Sequence, residues 1–468
     1  MRPRVVALIS GFALAACARY EARPLDPGVH PAVYASRRLG DPALLAWISR
    51  FGGPVQGDRW TERQLGLAAM AHRADLERAR LDWLAARAGV MAAGGRPAPG
   101  IQGEVERRVG GRDEGGPWVV AIGALFTLEL GGKRAARIQA ARADEAAAAA
   151  QLALTAAEAL RTVRQAALDV AQTEDALADA RASLTALGLV ERGERERFAE
   201  AALGSGEVAR TASEVAAAHG EVAAAGREVG RARADLAAAL AVPSAEVAGL
   251  AVERTANASC AWSAQVGEDS VIARALQRRG EVARALADYA AAEADVRSRV
   301  AALSPDVELG PGFIWDQGVD RWTLSAALPA LLGLRNRKPV AAAEARRLAA
   351  AARVDEAQDG IIMEVTRALE ACRGAALEVG VADSQRVAAE RVRELARAAY
   401  ERGERGRLDL ARAELLVTRA AATSRAVARA LERAGLALEL AAGEWVAAGD
   451  RAWPDPRTER FTPDEEQR

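Results

Sequence analysis

Cys17 is the side chain with the clearest chemistry in this sequence. Arg2 and Arg4 precede an apolar run from Val5 to Ala16, and Cys17 follows it directly. A charged start and ~7–15 apolar residues make a signal peptide, too short to span a bilayer. Leu14-Ala15-Ala16-Cys17 resembles a lipobox, in which the thiol is acylated and the cysteine becomes the mature N-terminus. Residues 1–16 are then the signal peptide and 17–60 a lipidated segment. At ~0.8 kcal/mol per buried methylene, a multiply acylated cysteine holds a chain at a membrane. The alternative is cleavage at a small-residue site with Cys17 left inert.

The remaining reactive side chains form no constellation. Cys260 and Cys372 lie far apart in the chain. They could pair, but two buried free thiols is the expected state. His30, His72 and His219 are scattered, without His-x-x-x-His or Cys-x-x-Cys spacing, so no metal is expected. The sequence has no phosphate loop and no nucleophile set, so neither a cofactor nor an enzymatic activity is expected. Basic and acidic residues nearly cancel, 63 against 64, and no dense Lys/Arg tract stands out, which argues against nucleic acid as the main partner.

The elements that carry these residues are long helices. Residues 133–198 hold no proline, and no glycine before Gly188. Val163, Val170, Leu177 and Leu184 recur every seven residues, with Leu160 and Ala167 in the alternate seam. At ~1.5 Å per residue this helix is roughly 100 Å long and must lie against other long helices. Half of the residues are hydrophobic but only 4% are aromatic, which favours closely packed helices over a thick core. A first helix spans 61–93 from a cap at Thr61. Alternation over 101–108 and an apolar run over 118–130 make a β-hairpin. A return helix at 207–241 follows the long one.

The order then recurs. A helix at 268–303 leads to a strand pair at 306–332, a long helix from 338 to 402 and a return helix at 408–443. Pro99-x-Ile101 aligns with Pro305-x-Val307 at an offset of 206, and Trp118 with Trp322. Ile138–Ala141 aligns with Val340–Ala343, and 231–236 falls on 431–436 at an offset of 200. The first repeat is therefore 61–249 and the second 268–449, joined by a linker at 250–267. A polar tail at 450–468 is expected to be unstructured. Four strands per chain leave open edges, and three copies would give 12 strands, a number that closes a membrane barrel. Two soluble hairpins capping helical bundles are the alternative.

This order, the lipobox, the stretch Tyr400-x-x-Gly403-x-x-x-x-Leu408-Asp409-Leu410 and the junctions Leu130–Lys133 and Leu332–Arg335 resemble the TolC-type outer-membrane efflux channel family. The resemblance implies a mainly α fold with a small membrane β-barrel: a homotrimer with a 12-stranded barrel in the outer membrane and a long α-helical barrel in the periplasm. It implies docking onto a periplasmic adaptor (membrane fusion) protein and an inner-membrane pump, with outer-membrane lipid around the barrel. It places the tip turns at 190–208 and 401–408, with Gly204, Gly206, Gly403 and Gly406. Asp409 falls where the family's channel prototype has the first of two pore-lining aspartates; the second position is Arg412, and its first-repeat counterpart is Arg210. Asp409 and Arg412 would share one helix face near the pore, although ordinary solvated charges remain the alternative. Tyr400 is a tip contact or a packing residue.

A passive exit duct of a tripartite efflux or type I secretion system is therefore the leading expectation, drawing its energy from a partner. Heavy-metal efflux competes with drug, dye or lipid efflux, and no methionine or histidine track favours metal. A periplasmic coiled-coil structural or adaptor protein is the other class. Two hairpins embedded between helix pairs speak against it.

Overall fold

The computed structural model describes residues 21–107, 109–110, 118–253, 260–316, 318–328, 337–444, 453–459 and 461. Cys17 and the junction Leu332–Arg335 lie outside them. The first repeat is preceded by two short helices, α1 (Val29–Ser36) and α2 (Pro42–Gly52), and by strand β1 (Arg59–Thr61). Then come α3 (Glu62–His72), α4 (Ala74–Ala93), β2 (Gly100–Arg107), β3 (Trp118–Leu128), the long helix α5 (Lys133–Ala199) and its return helix α6 (Ser205–Leu240). Strand β4 (Ala251–Glu253) pairs in parallel with β1 and, with α7 (Ala261–Val266), links the repeats. The second repeat is α8 (Glu268–Arg278), α9 (Gly280–Ala301), β5 (Val307–Asp316), β6 (Val319–Ala327), α10 (Lys338–Glu401) and α11 (Arg407–Ala442).

Local signals explain most boundaries. Thr61 accepts from the Gln64 backbone N–H while the Gln64 side chain accepts from Thr61 N–H, a complete capping box. The long helix runs through Gly188 and Gly193 to Ala199. A Cβ on Gly193 would stand 3.2 Å from Leu408, so close helix approach accounts for that glycine. α5 packs against α3, α4, α6, α9 and α11, which makes it the axis of the chain. No helix among the described residues is long and apolar enough to cross a membrane.

The sheet has strand order β2-β3-β5-β6, antiparallel throughout. Its register puts most large apolar side chains on one face and most polar ones on the other, with Arg107 and Asp320 as exceptions on the first and Val119, Leu125 and Ile314 on the second. Ile101, Val105, Trp118, Val120, Ile122, Phe126, Leu309, Phe313, Trp322 and Leu324 share one face. Gln102, Glu104, Glu106, Arg321, Thr323 and Ser325 share the other. The apolar face lies open in the single chain, with Ile101 85% and Trp322 85% exposed.

Four expectations are corrected. The helices expected at 61–93 and 268–303 are each broken, at Arg73 and Arg279, where the backbone turns extended (ψ 121° and 129°). Cys260 and Cys372 are not free thiols: they form a disulfide with Cα atoms 5.7 Å apart. Cys372 occupies a core position on α10, and the linker folds back to meet it. The tail expected to lack structure returns to the molecule in part. Trp453 lies under the Arg63 guanidinium at 4.4 Å, and Phe461 packs near Trp47 and His72. Its aromatic side chains bury apolar area that a purely polar tail would lack.

The return helices align at 202, not 200. Ala232, Leu236, Ala239 and Leu240 fall on Ala434, Leu438, Ala441 and Ala442, all buried. The long helices share that offset: Ala159, Val163, Ala166, Ala167 and Val170 fall on Ile361, Val365, Ala368, Leu369 and Cys372, again all buried. Helices α3 and α4 match α8 and α9 at 206, as Leu65, Ala69, Leu76 and Ala79 match Val271, Ala275, Val282 and Ala285. The duplication thus holds residue by residue in the core.

The offset also pairs two helix ends in the left-handed region, Ala241 (φ 55°) and Gly443 (φ 68°). Glycine adopts that conformation freely, whereas alanine meets a steric cost of ~1–2 kcal/mol. Ala241→Gly should therefore stabilise the fold by about 1 kcal/mol in urea or thermal unfolding. Gly443→Ala should destabilise it, more so because its new Cβ would stand 3.1 Å from Arg278 Cβ.

Candidate gate at the helical tip

The tip is formed by the turns from α5 to α6 and from α10 to α11. Gly403 takes φ 75°, and its counterpart at offset 202 is Ala201 at φ 57°. Gly204 and Gly406 are extended N-cap residues, and Gly206 lies in the first turn of α6. One glycine of the expected four therefore has the left-handed geometry. Tyr400 is 43% exposed at the end of α10, and Arg210 is exposed on α6. Asp409 sits in the first turn of α11, 3.9 Å from Arg405 one turn back. A carboxylate there also favours the helix N-terminus.

Arg412 does not complete a ring with Asp409. Its Nη2 donates to Glu194 Oε1 at 2.8 Å, across the seam from α11 to α5. Glu194 is only 2% exposed, and its Oε2 is buried without a hydrogen-bond partner among the described residues. Leu187, Val190, Leu408 and Leu415 surround this contact with apolar packing. Removing Arg412 would leave both oxygens of a buried carboxylate unsatisfied, which costs more than losing an exposed pair.

Glu194–Arg412 is one rung of a ladder that sequence reasoning missed. Asp179 accepts from Arg425 Nε at 2.6 Å and from Arg429 Nη1 at 2.8 Å. Gln172 Nε2 donates to Glu432 and to the Arg429 carbonyl. Arg164 Nη2 donates to Glu439 at 3.0 Å and its Nε to Glu62 at 2.8 Å. Burial pushes the Glu439 carboxyl above its ordinary value despite the opposing Arg164 charge. In sequence, 164 with 439, 172 with 432, 179 with 425 and 194 with 412 sum to nearly one constant (603, 604, 604 and 606), the signature of an antiparallel pair in fixed register. That constancy was available in the sequence, but only once α5 and α11 are known to touch.

At the other end of this seam stand the two helix breaks. Arg279 is 6% exposed and reaches the Leu440 and Ala441 carbonyls at 3.4 and 3.2 Å, at the C-terminus of α11. It is also paired with Glu281 and, at 2.9 Å, with Glu364. Burial works to raise the Glu281 carboxyl, but the Arg279 hydrogen bonds and charge outweigh it and hold it below its ordinary value. Arg73 repeats the arrangement at offset 206: it pairs with Asp75 at 2.5 Å and donates to the Ala239 carbonyl at 3.4 Å at the end of α6. Arginine placed on terminal helix carbonyls satisfies acceptors that have no partner within the helix.

The comparisons with known proteins fall on this architecture. Residues 271–444 match the family described as outer membrane efflux protein. That match spans the second repeat from α8 to the end of α11. Solved structures are similar over most of the chain. They include the outer membrane protein VceC from Vibrio cholerae (TM-score 0.65, 19% identity, covering 82% of this chain and 96% of that one). The CmeC outer membrane channel of Campylobacter jejuni matches at TM-score 0.63 and 13% identity, over 87% and 90% of the two chains. The MtrE outer membrane channel of Neisseria gonorrhoeae, in its open state, matches at 0.61 and 18%, over 88% and 96%. No curated protein sequence matches. The fold is that of the TolC-type outer-membrane channels, mainly helical with a few antiparallel strands.

The rungs differ in burial, and so should the effects of breaking them. Glu194→Ala should speed amide hydrogen exchange over 408–415 at least tenfold, because it leaves the tip of α11 held by apolar contacts alone. Asp409→Ala removes an exposed pair worth ~0–1 kcal/mol and should leave that exchange within about fivefold of wild type.

Proposed function

We propose that the chain is an outer-membrane exit channel of a tripartite efflux or type I secretion system. The observation that carries this reading is the sheet: one face is apolar and exposed, the other polar, and both outer strands, β2 and β6, have free edges. Free backbone edges cannot face lipid, so the strands of several copies must pair into a closed barrel. Three copies of four strands give the 12-stranded barrel, with the apolar face toward lipid and Gln102, Glu104, Arg321 and Ser325 toward the lumen. Below it, α5 of 67 residues spans roughly 100 Å of the periplasm at ~1.5 Å per residue.

In this reading the chain is a passive duct. A periplasmic adaptor protein and an inner-membrane pump supply cargo and energy, and the Glu194–Arg412 contact holds the tip of α11 inward. Asp409, Arg412, Arg210 and Tyr400 lie around the entrance rather than in one ring. Cys17 anchors the chain to the inner leaflet of the outer membrane. The disulfide agrees with an oxidising compartment.

The test is reconstitution in planar bilayers. Purified protein should run as a trimer in mild detergent and conduct ions. Glu194→Gln should raise the single-channel conductance, since a neutral side chain holds Arg412 less firmly. A monomer without conductance would overturn the channel reading. Mass spectrometry of membrane-extracted protein should find an acylated N-terminal Cys17; a mature start elsewhere would remove the anchor and leave the barrel.

A further inference from the structure

The duplication makes the second repeat a template for what the first one lacks. Around Arg279 the second joint is closed: α9 lies in the groove between α5 and α10, and only ≈ 30 Å³ remains open there. Leu154, Ala157, Glu158 and Arg161 of α5 form the closing wall. The corresponding joint around Arg73 opens into a cavity of ≈ 490 Å³. Arg37, Arg38, Arg73 and Arg80 line it together with Asp41, Glu77 and Glu459, and Arg38 pairs with Glu246, Arg73 with Asp75 and Arg80 with Glu77. Arg37 donates to the Ala241 carbonyl at 2.6 Å and lies over the Tyr34 ring, with no ion-paired carboxylate among the described residues.

The missing wall can be written down from the offsets. Moving the α5 wall by 202 gives Glu356, Asp359, Gly360 and Met363 of α10, all exposed in the single chain. Moving α9 by 206 gives α4, whose far flank, with Leu81 50% and Leu84 36% exposed, has no long helix packed on it among the described residues. Two positions that are apolar at the second joint, Leu154 and Ala157, become the carboxylates Glu356 and Asp359, and they become so opposite a cavity that holds Arg37. The added carboxylates complement Arg37, the arginine of this cavity without an ion-paired carboxylate among the described residues.

We propose that α10 of a second copy seats on the first joint, with its Glu356 and Asp359 in the arginine-lined cavity and its Met363 where Arg161 stands in the second joint. The site is incomplete without that copy. A further contact follows from the same template. Arg284 bonds Asp288 and donates to the Ala147 carbonyl at 2.8 Å. Its counterparts Arg78 and Asp82 are present and exposed, so Arg78 donates to the Ala349 carbonyl of the second copy. This inference rests on the oligomeric channel reading but names a contact that the reading does not require.

The template also supplies the test. A Cβ on Gly280 would stand 3.7 Å from Leu154 Cβ, within the ~3.5–4.5 Å range of disulfides. Ala74 and Glu356 are the equivalent pair between copies. The double variant Ala74→Cys/Glu356→Cys should give reducible dimers and trimers on a non-reducing gel, and neither single variant should. Adding Asp359→Arg should slow the crosslinking at least tenfold. Asp355→Arg, one residue outside the predicted wall, should not. Light scattering in detergent separates the two failures. A trimer that does not crosslink overturns the socket and leaves the channel standing, and a monomer overturns both. Crosslinking that Asp359→Arg leaves unchanged overturns the role of charge.

Discussion

The ends of the two return helices are the constraint on which the architecture depends. The 67-residue α5 packs chiefly on helices of 36 residues or fewer, so two shorter helices must meet end to end beside it. Where they meet, α6 and α11 stop in the middle of the molecule, each leaving terminal carbonyls without helical partners. Arg73 and Arg279 answer that need. Each lies at a break between consecutive helices, turns its backbone extended and puts its guanidinium on the carbonyls of the return helix. A buried guanidinium must itself be neutralised, which fixes Asp75, Glu281 and Glu364 around it. Each joint therefore sets where three helices begin or end.

The elements were legible where they follow from local physics. The apolar period of α5, the Thr61 capping box, the strand alternation and the Gly403 turn all carry their reasons within a few residues. The breaks at Arg73 and Arg279 were not legible, because arginine is a good helix former and only its tertiary partner pulls it out of the helix. The same holds for the candidate gate. Asp409 and Arg412 share a helix face, but the partner of Arg412 is Glu194, which lies 218 residues earlier. The disulfide was hidden for a related reason. Cys372 sits where the first repeat has Val170, so its pattern is that of an ordinary core residue.

The two repeats solve one packing problem with different means. In the first, α1 reaches over the end of α6: Tyr34 donates to the Val242 carbonyl and Arg37 to that of Ala241. Those contacts hold Ala241 in a conformation that favours glycine. In the second, Gly443 takes that conformation without support from a preceding helix, Arg278 pairs with Glu444, and Cys260–Cys372 ties the linker to α10. The first repeat spends an N-terminal segment where the second uses glycine and a covalent bond. The pseudo-symmetry of the core survives because both solutions leave the buried seam positions alone.

The ladder between α5 and α11 follows from the alanine content. Alanine packs closely but has little shape, so two alanine-rich helices can slide past each other at small cost; large knobs that would fix the register are few. Charged rungs provide the missing registration: a slip of one turn would put Leu408 or Leu416 in the place of Arg412 and leave Glu194 buried without its cation. Such pairs add little net stability compared with apolar packing, yet they penalise the wrong register heavily. The spacing supports this division of labour. Three rungs stand between Arg164 and Asp179, and toward the tip Glu194–Arg412 is the one rung of this seam among the described residues, with Leu187, Val190, Leu408 and Leu415 packed beside it. The seam is thus pinned by more rungs near the joints than at its end.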